Sequence, residues 1–133
     1  MSPSLLLASR PLRELDVYSY LATIPAMKGR RAFEIVFDDS ALDHMDAVES
    51  KYDSQIRKTI EEQLVYEPNV PTRNRKPLLH ETAIGATWEV RCGPNNRFRI
   101  YYDVDSDERL VVVLAIARKQ GSQLFIGKER FQL

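Results

Sequence analysis

Between residues 97 and 103 the chain alternates strictly, as Arg97-Phe98-Arg99-Ile100-Tyr101-Tyr102-Asp103. A strand turns successive side chains to opposite sides. Phe98, Ile100 and Tyr102 are therefore expected on an apolar face, and Arg97, Arg99, Tyr101 and Asp103 on a polar one. Leu110-Val111-Val112-Val113-Leu114-Ala115-Ile116-Ala117 is apolar without interruption, as a strand covered on both faces would be, and it runs straight into Arg118-Lys119. The pattern predicts strands over roughly 87–92, 96–104, 110–118 and 123–126. Turns are expected at 93–96, 105–108 and 119–121. Links this short join antiparallel neighbours.

Upstream, Phe33-Glu34-Ile35-Val36-Phe37 reads as a first strand. Asp38, Asp39 and Ser40 are helix N-cap types, and Leu42, Met45, Val48 and Tyr52 follow at spacings of three and four. After a break near Asp53-Ser54, Ile56, Ile60 and Leu64 continue the stripe to about Tyr66. Glu67-Pro68 ends it, because proline cannot extend a helix. These elements predict an α+β domain with two N-terminal helices packed on one face of a mainly antiparallel sheet of four or five strands.

The chain has 133 residues and a 44% hydrophobic share, which fits one domain with one modest core. Its single cysteine, Cys92, excludes an internal disulfide and a cysteine-based zinc site, and favours a reducing compartment. No apolar run approaches the roughly 20 residues of a membrane span, and Leu5-Leu6-Leu7-Ala8 is too short for a signal-peptide core. A soluble cytoplasmic protein without membrane contact is expected. Residues 1–32, punctuated by Pro3, Pro11 and Pro25, are expected to be a loosely ordered extension or a misassigned start. The domain proper is then 33–133, and Met27 is an alternative first residue.

A formal net charge of zero hides a division. Residues 33–67 hold ten acidic and three basic side chains, whereas residues 68–101 hold six basic and two acidic. An acidic helical half facing a cationic sheet half gives a polarised surface. Local potential, more than net charge, governs anion binding. A cationic face beside a buried strand suggests a fold that holds phosphate.

Three elements together resemble the RelE/ParE superfamily of type II toxin–antitoxin toxins, in its RelE- and HigB-like branch. They are the basic loop Thr72-Arg73-Asn74-Arg75-Lys76-Pro77-Leu78; Trp88-Glu89-Val90-Arg91 with Phe98-Arg99-Ile100-Tyr101-Tyr102-Asp103-Val104; and Ala115-Ile116-Ala117-Arg118-Lys119 with Leu124-Phe125-Ile126-Gly127. The likeness spans about residues 33–130. It implies a RelE-like fold and a ribosome-dependent mRNA endoribonuclease that uses no metal or other cofactor. It further implies neutralisation by a cognate antitoxin protein, and operator DNA as a partner only through that antitoxin. A sister branch inhibits gyrase, and an inactive antitoxin-binding module is a further alternative, since fold alone does not fix activity.

Metal-free RNA cleavage needs a base for the 2′-hydroxyl, cations for the charged phosphorane and an acid for the leaving 5′-oxygen. Arg99 matches the family's phosphate-binding arginine; the plainer reading is a sheet arginine paired with Glu89 or Asp103. Glu89 and Arg91 lie two apart on one strand and suit a base and a phosphate clamp, or else an ordinary cross-strand ion pair. Of Arg118 and Lys119, alternation lets only one enter the groove, and Lys119 is the catalytic candidate. Arg73, Arg75, Lys76, Arg97 and Arg118 are expected to hold RNA backbone, and Tyr101 to stack on a base or donate to phosphate. His80 is a candidate proton shuttle, and His44 is expected on the surface. Many family members carry a tyrosine near Phe125; a phenylalanine cannot supply the acid.

Overall fold

The computed structural model describes residues 31–80, 82–127 and 129–131. The expectations for the N-terminal extension and for the start at Met1 or Met27 fall on residues 1–30, outside the described residues. Chain order is β1 (Glu34–Phe37), α1 (Asp39–Ala47), α2 (Asp53–Gln63), β2 (Arg75–Pro77), β3 (Trp88–Cys92), β4 (Phe98–Asp105), β5 (Leu110–Gln120), β6 (Gln123–Ile126) and β7 (Glu129–Phe131).

Asp38 starts α1, its extended backbone letting Oδ2 accept from the Ser40 N–H at 3.0 Å. The acidic residues there also suit the positive end of the helix. The helix stops at Ala47, where Val48 turns extended, and a short 3-10 turn at Ser50–Tyr52 leads into α2. Leu42, Ile56 and Ile60 are fully buried, each contributing about 2 kcal/mol by leaving water. They pack with Phe98, Ile100, Tyr102, Val111, Val113 and Ile116, so both helices cover one side of the sheet.

The fold expected from sequence needs correction. Among the described residues the sheet has seven strands, not four or five, and the helices are not N-terminal, because β1 precedes them. The order runs β2-β3-β4-β5-β6-β7 antiparallel, with β1 added parallel to β5 at Glu34↔Leu110 through Phe37↔Val113. The two missed strands, Arg75-Lys76-Pro77 and Glu129-Arg130-Phe131, are only three residues long and lack an apolar alternation to betray them.

Strand β5 organises the rest. One edge pairs with β4 over residues 110–118; the other takes β1 at residues 110–113 and β6 at 117–120. A bulge slips the β4–β5 register, since Tyr101 faces Ala115 while Tyr102 faces Val113. Leu114 and Ala115 consequently both turn away from the helices. There they join Tyr101, Ala117 and Ala86 in a second, smaller core. Residues 78–80 and 82–87 belong to an arm over this side, fixed by Leu78 N–H donating to the Thr87 carbonyl at 2.9 Å and Ala86 N–H to the Thr82 hydroxyl at 3.0 Å. In the gap between β1 and β6, His44 Nδ1 accepts the backbone N–H of Ile116 at 3.2 Å, so His44 is a half-buried structural acceptor, contrary to its expected surface place.

Candidate functional site

Two rows of side chains cross the helix-free face. Strand register puts Lys76 beside Glu89, Glu89 beside Tyr101, and Tyr101 beside Ala115. The adjoining row is Arg91, Arg99 and Ala117. Alternation from the buried Val90, Phe98 and Ile100 turns every one of these residues away from the helices. The two alanines leave the β5 end of each row low.

Glu89 sits at the centre with 1% of its side chain exposed. Arg91 Nε lies 3.2 Å from its Oε2, Lys76 Nζ 3.8 Å from the same oxygen, and Arg99 Nη1 3.6 Å from Oε1. One carboxylate thus gathers three cations on three strands. Exposure rises outward, from 13% at Arg99 to 32% at Arg91 and 55% at Lys76. A lone buried carboxylate would be strongly unfavourable; this one has three cationic side chains within 4 Å, so formal positive charge exceeds negative by two in the cluster.

Tyr101 lies fully buried next to Glu89. Burial, first, and then the neighbouring carboxylate push its hydroxyl well above the usual phenol range. It stays protonated and cannot stack on an incoming base; the arm and the alanines enclose it. Nearby, the Thr87 hydroxyl donates to Asp103 Oδ1 at 2.6 Å and ties the arm to β4.

Several expected site residues lie elsewhere. Arg75 is 5% exposed and belongs to the helix side. Its Nε donates to the Val70 carbonyl at 2.6 Å, and Nη1 donates to the Gln63 carbonyl and side chain at the end of α2, so it acts as a structural pin, buried away from the Glu89 face. Arg97 leaves the polar row because Asn95 and Asn96 adopt φ near +55° and Arg97 itself is helical; β4 starts one residue later than the alternation suggested. Its guanidinium donates to the Tyr52 hydroxyl at 3.1 Å. Arg118 pairs with Phe98 and lies over the Phe125 ring at 5.3 Å, on the helix side as well.

Lys119, one residue on, turns to the Glu89 side and is exposed. Arg73 and His80 are exposed in the loop before β2 and in the arm. Sequence reading missed the arm itself; its signal was Leu78, Ile84 and Ala86 around the turn at Gly85, whose φ is +80°. Among the described residues no group of three or more His, Cys, Asp or Glu stands close enough to hold a metal ion.

No family model, curated protein or solved structure matches the chain.

Proposed function

We propose that the chain is the toxin of a type II toxin–antitoxin pair, a metal-independent endoribonuclease that cuts mRNA on the ribosome. The observation that carries this reading is Glu89, a carboxylate within 4 Å of three cations on a face that the helices leave free. The likeness of the strand and loop motifs to RelE- and HigB-like toxins supports it.

In this mechanism the scissile phosphate lies over Arg91 and Arg99, drawing those guanidinium groups partly from Glu89. The freed carboxylate oxygen takes the proton of the 2′-hydroxyl as the 2′-oxygen bonds to phosphorus. The cations stabilise the extra charge of the phosphorane. The bond from phosphorus to the 5′-oxygen then breaks, leaving a 2′,3′-cyclic phosphate and a 5′-hydroxyl. Tyr101 positions Glu89 from below and is too deep to protonate the leaving group, and Phe125 has no proton to give. The acid therefore comes from the ribosome, which fits a ribosome-dependent toxin.

In this reading the chain works in the cytoplasm; among the described residues no helix is long and apolar enough to cross a membrane. The antitoxin is expected to lay an acidic segment across Lys76, Arg91 and Arg99 and so to compete with mRNA. It alone brings the pair to operator DNA.

Programmed ribosomes incubated with wild type, Glu89→Gln and Arg99→Ala test the proposal. Cleavage with cyclic-phosphate ends is expected for wild type, with a loss of about 10²–10³ on removing one charge-stabilising donor such as Arg99. Full-rate cleavage by Arg99→Ala rejects the assignment. The depth of Glu89 favours a second reading, a phosphate-gripping module without chemistry. Intact mRNA bound by wild type would establish it, and trapped gyrase–DNA complexes would point to a gyrase inhibitor instead.

A further inference from the structure

The cations of the helix-free face share a carboxylate, but those at the end of the sheet do not. Arg97 and Arg118 flank Phe98, the residue that pairs with Arg118 across β4 and β5. Their side chains border a depression of about 180 Å³ whose wall includes Tyr52. Arg97 donates to the Tyr52 hydroxyl, and Arg118 donates to Gln120 Oε1 at 3.3 Å and the Gly127 carbonyl at 3.4 Å. All three acceptors are neutral. Among the described residues neither guanidinium has a carboxylate within ion-pair distance, although each carries five donors. Glu49 also lines the depression, but its carboxylate is taken by Lys51 at 3.5 Å.

Position adds to charge. Arg97 also borders a neighbouring depression with Lys119 and Gln120. The Lys119 N–H donates to the Arg97 carbonyl at 2.7 Å, which locks the start of β4 to the end of β5. Lys119 faces the Glu89 side, one step along β5 from Ala117, the partner of Arg99. Arg99, Lys119, Arg97 and Arg118 therefore form a cationic line that turns round the end of the sheet, from the helix-free face to the helix side.

We propose that Arg97 and Arg118 form a second phosphate site, which holds the RNA strand where it leaves the Glu89 cluster. The inference rests on the RNA-binding part of the function proposed above and adds to it a path and a direction. Two consecutive phosphates of a single strand meet the two guanidinium groups, and the strand bends around the sheet end in place of crossing the arm. The contacts are to backbone, so they carry affinity and register and read no sequence.

The test is binding of a fluorescein-labelled, unstructured single-stranded RNA to the full chain, followed by anisotropy between 50 and about 300 mM salt. Each phosphate contact to a single strand contributes roughly 0.7 to the slope of log K against log salt. Arg97→Gln with Arg118→Gln should flatten that slope by about 1.4 and weaken binding at low salt, while Arg97→Lys with Arg118→Lys should restore most of it. Thermal melting of each variant checks that it folds. An unchanged slope in the folded glutamine variant overturns the inference, and leaves mRNA cleavage by the Glu89 cluster standing. No binding of RNA by wild type at 50 mM salt overturns both. A rim that binds only an acidic protein segment appears as the first of these failures.

Discussion

Arg91 and Arg99 are direct partners across β3 and β4, and both turn to the Glu89 carboxylate, at 3.2 Å and 3.6 Å. Two guanidinium groups side by side repel, so the carboxylate holds the row together. Glu89→Ala removes the shared counter-charge and leaves Arg99, only 13% exposed, without it. A loss of about 3 kcal/mol in urea unfolding is expected, within the range for breaking a buried ion pair from one side. Arg91→Ala, at a half-buried position, should cost about 1 kcal/mol.

Arg75 offers a control for every experiment on cations. Its side chain satisfies carbonyls at the end of α2 and in the loop that follows. Arg75→Ala orphans those acceptors and should destabilise by about 2–3 kcal/mol. Under folding conditions the salt slope of RNA binding should match wild type, since Arg75 meets no phosphate. A flattened slope would mean that Arg75 reaches RNA after all.

His44 makes stability depend on pH. Burial lowers its pKa, against an opposing pull from Asp43 and Asp38, and the Ile116 N–H needs an unprotonated Nδ1. A folded pKa below the usual value of about 6.5 means that the unfolded chain binds more protons in that window. Stability is therefore full above about pH 6.5 and falls as pH drops towards the lowered folded value. The melting temperature should decline from pH 7.5 to pH 5.5, and His44→Gln should remove part of that decline. Carboxylates shared by both proteins cancel in the comparison. An identical pH dependence in the two would refute it.

Gly93 has φ +82°, and a Cβ there would meet the Phe98 ring at 2.6 Å. Gly93→Ala combines a left-handed backbone with a clash against a core ring, so a loss of about 2–3 kcal/mol is expected. Because this turn aims Arg97, the RNA affinity proposed for that rim should fall with it, while the cleavage proposed at Glu89 should be spared. Calorimetric melting and the anisotropy assay read the two effects separately.

What the sequence made legible is the face of Glu89, Arg91 and Arg99. Polar and apolar residues alternate there without a break, and each side chain's direction follows from its neighbour. The end of β5 was not legible in this way. From Leu110 to Ala117 every residue is apolar, so the run contains no phase marker, and the bulge at Leu114 is invisible in it. That one extra residue sends Arg118 to the helix side and Lys119 to the other; without it the two would exchange places. Arg97 was misplaced because strict alternation was carried one residue too far, into a turn set by two asparagines. Arg75 and Lys76 were read together as a basic loop, although neighbours on even a short strand must part to opposite faces. The arm over Tyr101 escaped because its few apolar residues have neither strand nor helix period.

The parallel seam between Glu34 and Leu110 joins positions 76 residues apart, whereas β3 through β7 connect by short turns. Contacts so distant along the chain form late, because a long loop must close first. On a growing polypeptide β1 and α1 emerge well before β5, the strand against which they pack, whereas α2 lies against β3. Until then Ile35 and Leu42 lack their partner strand, and this interval is when the nascent chain is most open to aggregation or to capture by a chaperone.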